Sequence, residues 1–249
     1  MGISFCNGQF IDENEPCIPL TDRGFLFGDA IFTSIKVVNG IPQLVEAHFT
    51  RLKTQCEALR IVPPELTLTD IDHLILKNMA TQGVWRLKMI ITGGNEPSLN
   101  LQKRKFGKFL MTMSEVHQNI PDNFRLTVFP MPICKPTARL KSLSYLDRLF
   151  VMDYAISHGF DDAIVLSVEG FLLETAFSNI FWINGPDVYI PDPNLDLMMG
   201  VTLTDHIEVL KNSGHTIHYV KQRLEDIAPS SQIFICNSIK EIVRGFIIS

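Results

Sequence analysis

Cysteine is scarce in this sequence and never clustered. Cys6, Cys17, Cys56, Cys134 and Cys236 are odd in number, widely spaced and never form Cys-x-x-Cys, which excludes a disulfide framework and a zinc site and points to a reducing, cytoplasmic setting without a metal. No apolar stretch is long enough to span a bilayer. The opening residues, Met1 to Cys6, lack the basic region, apolar run and cleavage site of a signal peptide. Blocks of like charge are missing too. The longest basic run is Lys103-Arg104-Lys105 in a chain of net charge −5, so nucleic acid has no electrostatic footprint. Repeats and low-complexity tracts are absent. The expected partner is a small-molecule substrate, with neither nucleic acid nor membrane involved.

What remains is ordinary globular material: 46% hydrophobic and 20% charged over 249 residues, enough for two modest domains. Residues 29–38 are β-branched and aromatic and stop at Asn39-Gly40, a strong hairpin signal. Phe49, Leu52, Cys56 and Leu59 recur at helical spacing, which predicts an amphipathic helix over about residues 45–60 whose polar face carries Arg51. A second helix is expected over about 67–82. Strands over 85–92 and 108–115 should bracket a polar, mobile loop that starts at Gly93-Gly94. The turn-rich, apolar-poor segment from Val116 to Phe124 separates two blocks of pattern and divides the chain into domains 1–117 and 118–249. In the second half, a strand over 125–130 and a proline-rich stretch precede a helix over 144–158. Short strands over 163–166, 171–174 and 179–182 follow, then a helix over 202–212 and strands over 216–220 and 232–236. The class this implies is mixed α/β.

Three places carry chemistry. Gly200-Val201-Thr202 opens a helix whose first turn offers free N–H groups and hydroxyls, a set that suits a phosphate and equally an ordinary capped helix. Lys141 lies between the proline-rich stretch and an apolar helix, where desolvation would make its amine nucleophilic toward aldehydes; most lone lysines are solvated surface charges. Glu174 enters an otherwise apolar strand pattern. Buried, it needs a partner, which a pyridinium nitrogen would provide; at a strand end it would simply face water.

Taken in order, Asp22-Arg23-Gly24-Phe25-Leu26-Phe27-Gly28-Asp29, His48-Phe49-Thr50-Arg51-Leu52, Lys141 with Tyr145, Glu174 with Ser178-Asn179, and Gly200-Val201-Thr202 resemble the motif set of the class IV aminotransferase family, the fold-type IV pyridoxal-phosphate enzymes. The resemblance covers nearly the whole chain. It implies two α/β domains with pyridoxal 5′-phosphate between them, commonly in a homodimer, with Lys141 in the second. It also implies that Lys141 binds the cofactor as a Schiff base, that Glu174 partners the ring nitrogen and that Thr33 is catalytic. Arg51, Val201, Thr202 and Ser238 would bind the phosphate, and Tyr145, Ser178, Asn179 and Asn237 would complete the cofactor site. Within the family, Phe32-Thr33-Ser34, Lys141-Ser142-Leu143-Ser144-Tyr145-Leu146 and Cys236-Asn237-Ser238 resemble aminodeoxychorismate lyases most. That branch converts 4-amino-4-deoxychorismate to p-aminobenzoate and pyruvate in folate synthesis. The alternative is a transaminase of D-amino acids, and less so of branched-chain amino acids, whose Tyr-Ile-Arg-Pro motif is missing. The chain lacks the arginine- and glycine-rich stretch that lyases carry near residues 93–100. Arg86, Lys88 and Lys103 to Lys105 are the substitutes for binding substrate carboxylates, against a solvated-face role for each.

Overall fold

The computed structural model describes residues 2–15, 17–96, 98–101, 107–117 and 121–248. The chain divides into two compact units, 1–118 together with 140–144, and 119–139 together with 145–249.

In the first unit, β1 (Ile3–Cys6) and β2 (Gln9–Asp12) form a hairpin through Asn7-Gly8. After them come a short helix α1 (Arg23–Phe27), β3 (Ala30–Val38), β4 (Ile41–Pro42), α2 (Val45–Ala58), α3 (Leu68–Lys77), β5 (Val84–Thr92) and β6 (Phe109–Glu115). The strands make one antiparallel sheet in the order β2-β1-β6-β5-β3-β4. Alternation along β3 sends Ile31, Ile35 and Val37 into a core with Phe49, Leu52 and Cys56 of α2 and Ile71, Leu74 and Ile75 of α3. Phe32, Ser34 and Lys36 therefore take the face away from those helices, opposite Ile90, Lys88 and Arg86 of β5.

The segment holding Lys141 was expected in the second domain. It belongs to the first unit instead. Ser142 forms an antiparallel bridge with Ile31, Leu143 N–H donates to Ala30 C=O at 3.0 Å and Phe32 N–H donates to Lys141 C=O at 2.8 Å. The segment thus extends the sheet along the edge of β3 that β4 leaves open, which satisfies backbone groups that burial would otherwise leave unpaired.

The second unit contains β7 (Asn123–Val128), α4 (Leu146–Ser157), β8 (Asp162–Leu166), β9 (Leu172–Thr175), β10 (Asn179–Asn184), β11 (Asp187–Pro191), α5 (Val201–Asn212), β12 (Thr216–Val220), β13 (Gln232–Asn237) and β14 (Glu241–Ile247). Strand order is β12-β11-β10-β13-β14-β7-β8-β9, and a further β9–β10 pairing closes six of the eight strands into a ring. Leu126, Ile164, Leu172, Ile180, Trp182 and Ile235 share one core. Intervening residues pack outward, Val165 and Leu173 with Val151 and Ala155 of α4, and Phe181 and Cys236 with Leu203 and Ile207 of α5. Among the described residues no helix is long and apolar enough to cross a membrane.

Candidate active site

Lys141 is fixed through its backbone on both sides. Its carbonyl receives Phe32 N–H, and its own N–H donates to the side-chain oxygen of buried Gln55 on α2 at 3.1 Å. The ammonium stands 4.8 Å from the centre of the Phe32 ring. Lys88 stands 4.8 Å from the centre of the same ring, so two amines lie against one aromatic ring, an attraction that holds cations without neutralising them. Burial, and then the charge of Arg86, hold the Lys88 ammonium below the usual lysine range.

Toward α2, Thr33, His48 and Arg51 form one chain of hydrogen bonds. Arg51 Nη2 donates to Thr33 Oγ1, and Thr33 Oγ1 lies 2.6 Å from His48 Nδ1. Arg51 Nη2 also faces that nitrogen, at 3.4 Å. A guanidinium only donates. With a donor facing Nδ1, that nitrogen accepts and the Thr33 proton points to it, which leaves His48 neutral with its proton on Nε2. Burial, followed by the charges of Arg51 and Lys141, pushes the His48 imidazole down to about 3. The family resemblance implied a catalytic role for Thr33 and assigned none to His48. In the structure Thr33 is wholly buried and its hydroxyl serves Arg51 and His48.

In the second unit, Glu174 is buried and its charge is met from within the chain. Arg148 of α4 donates through Nη2 to Glu174 Oε1 and through Nη1 to Thr175 C=O at 3.2 Å. A register shift between Val165 and Leu166 brings this about. It sets Glu174 opposite Val165, on the side that α4 covers, next to Leu173 and not with Leu172. The buried carboxylate of Asp162 then anchors the turn, accepting from Thr175 Oγ1 at 2.8 Å and from Ala163 and Ala176 N–H at 2.9 and 3.1 Å. Neither Arg148 nor Asp162 was singled out by sequence.

The other expected residues of this unit assemble around the start of α5. Asn179, opposite Glu174 in the β9–β10 pairing, accepts Gly200 N–H at 2.9 Å and donates to Met198 C=O at 2.7 Å. A Cβ on Gly200 would sit 2.3 Å from that accepting oxygen, so only glycine permits the approach. The N-cap residue of α5 is Gly200, which has no side chain to cap the helix. Its first turn, at Val201 and Thr202, presents N–H groups beside two hydroxyls, Thr202 Oγ1 and Ser238 Oγ, 3.4 Å apart. Asn237 donates to Ser178 Oγ at 3.1 Å and accepts from Ile239 and Lys240 N–H at 3.0 and 2.9 Å, which shapes the turn carrying Ser238. Tyr145 stacks on Phe177, ring centres 5.5 Å apart.

The loop expected to be mobile begins with two buried, bonded glycines. Gly93 N–H donates to Asp29 C=O at 2.8 Å, Arg23 N–H donates to Gly94 C=O at 2.8 Å, and the Arg23 guanidinium holds Glu96 and Ser98 carbonyls. The Lys103 to Lys105 run lies outside the described residues.

Cofactor donors are therefore present in both units, each judged on its own geometry. A guanidinium and two ammonium groups with a neutral imidazole suit an anion, and an uncapped helix start with two hydroxyls suits a phosphate. The closed strand ring flanked by α4 and α5, joined in sequence to an antiparallel sheet backed by two helices, is the fold-type IV architecture. The model of "Amino-transferase class IV" matches residues 30–245, and the chain belongs to that family. A Methanocaldococcus jannaschii protein provisionally named a branched-chain-amino-acid aminotransferase is 26% identical over 97% of this chain and 86% of its own length. The aminodeoxychorismate lyase of Bacillus subtilis is 24% identical over 96% and 84%. A solved structure from Legionella pneumophila, provisionally described as a 4-amino-4-deoxychorismate lyase, is 26% identical over 95% of this chain and 88% of that one, with a TM-score of 0.85. Their names divide between a lyase and a transaminase.

Proposed function

We propose that this chain is an aminodeoxychorismate lyase, converting 4-amino-4-deoxychorismate to p-aminobenzoate and pyruvate. The cofactor is pyridoxal 5′-phosphate. When bound, it supplies an aldehyde that captures an amine and a ring that withdraws electrons from the captured carbon. In the first unit the Arg51 guanidinium is a donor suited to a phosphate; in the second unit the α5 N–H groups at Val201 and Thr202, with the Ser238 hydroxyl, are the suited donors. Thr33 acts through Arg51 by holding its guanidinium, and Asn179 acts through Gly200 by holding the start of α5. Ser178 and Asn237 shape the turn below Ser238, Tyr145 borders the site from α4, and Glu174 serves the ring nitrogen. Lys141 Nζ would hold the aldehyde and, once displaced by the substrate amine, would take the proton from the amine-bearing ring carbon, a role worth roughly 10²- to 10⁴-fold. The electron pair left behind would break the bond from the ring to the enolpyruvyl oxygen, the released enol would take up a proton to become pyruvate, and the ring would become aromatic.

The observation that favours a substrate with more than one carboxylate is the pair of amines on Phe32. Lys88 shares that ring with Lys141. One cross-strand step further, Arg86 lies opposite Lys36, so cations line the face on which a dianionic substrate would lie. A branched-chain side chain gains nothing from such a row. The M. jannaschii relative favours the second reading, transamination, in which Lys141 would move the proton taken from the amino acid Cα. We also propose a homodimer, because Leu146, Leu149 and Phe150 of α4 stand 53–65% exposed. The deciding experiment is p-aminobenzoate formation from 4-amino-4-deoxychorismate, followed by product fluorescence with Lys141→Ala as control. Product that disappears in the control supports the lyase. A cofactor-loaded protein that forms none refutes it and moves the assignment to transamination.

A further inference from the structure

Glu174 reaches its place already occupied. Arg148 grips one carboxylate oxygen and the carbonyl of the next residue, Thr175, so the guanidinium fixes both the side chain and the strand end that bears it. Both side chains are more than nine-tenths buried. A buried ion pair is neutral as a unit, and any further proton bound beside it makes the site cationic in a medium that penalises net charge.

Resting on the reading above that Glu174 serves the ring nitrogen, we infer that Arg148 is a positioning residue that moderates how tightly Glu174 holds the proton of that nitrogen. Two physical effects act in the same direction. With Arg148 in place, Glu174 and a protonated ring nitrogen together carry one net positive charge, whereas without it they would be neutral. The guanidinium also draws on the carboxylate's electron density through a charge-assisted hydrogen bond, which makes the carboxylate a weaker acceptor for a second donor. Arg148 thus keeps Glu174 ionised and aimed, and it keeps the electron-withdrawing power of the cofactor ring below what a solitary buried carboxylate would produce. Lysine at this position would retain the charge. It would lose the planar fork that spans Glu174 and Thr175.

The test uses protein loaded with pyridoxal phosphate enriched in nitrogen-15 at the ring. The ring-nitrogen resonance is compared in the wild type, Arg148→Gln, Arg148→Lys and Glu174→Gln. The wild-type resonance is expected between the pyridine and pyridinium positions. It should move toward pyridinium in Arg148→Gln, return toward the wild-type position in Arg148→Lys and move toward pyridine in Glu174→Gln. A purely structural role for Arg148 would not produce a signed shift that lysine reverses. An unmoved resonance in loaded Arg148→Gln, or movement toward pyridine, overturns the inference. If Arg148→Gln does not fold, the wild type decides: a resonance at the full pyridinium position across the pH range of stability also overturns it. A resonance unmoved in Glu174→Gln shows instead that Glu174 does not serve the ring nitrogen. The underlying assignment then fails, and the inference with it.

Discussion

His48 offers a direct test of the electrostatics around Lys141. Its imidazole, carried on α2, is buried and pushed down to about 3 by burial, then by Arg51 and Lys141, while in the unfolded chain an imidazole titrates near 6.5. In the native state His48 therefore stays neutral through the whole range in which the unfolded chain takes up a proton. The unfolded state binds more protons below about pH 6.5, so native stability is lost as pH falls from there toward 3, and near pH 5 the loss is about 2 kcal/mol. Two measurements read it. The ring carbon proton of His48 in the apoprotein should show no titration step between pH 7.5 and pH 5. Hydrogen-exchange protection of α2 and β3 amides should fall over the same interval by an amount that His48→Gln abolishes. Because Lys141 is one named cause, Lys141→Ala should move the His48 titration upward toward the ordinary range. A native-state His48 resonance that titrates near pH 6.5 refutes the reasoning, since it requires either a solvated ring or an anion close enough to offset both cations.

Three further outcomes follow from the same geometry. Gly200→Ala places a methyl group 2.3 Å from the Asn179 oxygen, breaking the bond that holds the start of α5, and equilibrium dialysis should show pyridoxal phosphate bound about tenfold more weakly. Arg148→Ala leaves the buried Glu174 carboxylate without its guanidinium and should cost the second unit about 3–5 kcal/mol in urea unfolding. Lys88→Met removes the second amine from the Phe32 ring and should raise KM for 4-amino-4-deoxychorismate by about tenfold or more while kcat changes less, if Lys88 binds a carboxylate in the ground state; an unchanged KM assigns Lys88 to packing alone.

How legible the molecule was depends on where a residue's meaning is local. The strand at 29–38 ending in Asn39-Gly40 is found as β3 with its turn, and α2, α5 and β12 fall close to their expected places, because alternation and helical spacing are written in neighbouring residues. The second helix is shorter than expected, stopping at Lys77. The unexpected strands are β1 with β2, β11 and β14, each paired with its neighbour in sequence through a tight turn; the Asn7-Gly8 turn signal was there to be read. The five-residue α1 is too short to show periodicity and declares itself only through Asp22, whose carboxylate accepts Gly24 N–H at 2.8 Å. Arg148 illustrates the deeper limit. On α4 the apolar Leu146, Leu149 and Phe150 are exposed while the arginine is buried, an inversion that no pattern of hydrophobicity reveals. It arises because the register shift in β8–β9 turns a carboxylate to that side.

The two units also differ in the kind of charge they present. Around Lys141 the described groups are cationic or held neutral, since Arg51 is bonded to a hydroxyl, Lys88 and Lys141 rest on a ring, and His48 stays unprotonated between them. Around Glu174 the account is already balanced, carboxylate against guanidinium, and what α5 adds is oriented N–H groups and hydroxyls. Under the proposed function, the first unit offers cationic side chains and the second offers fixed dipoles. This division has a chemical sense. Carboxylates held by long cationic side chains can be exchanged with each turnover, whereas a phosphate seated at a helix start shaped by Asn179 and Gly200 is held by backbone geometry that substrate exchange does not disturb.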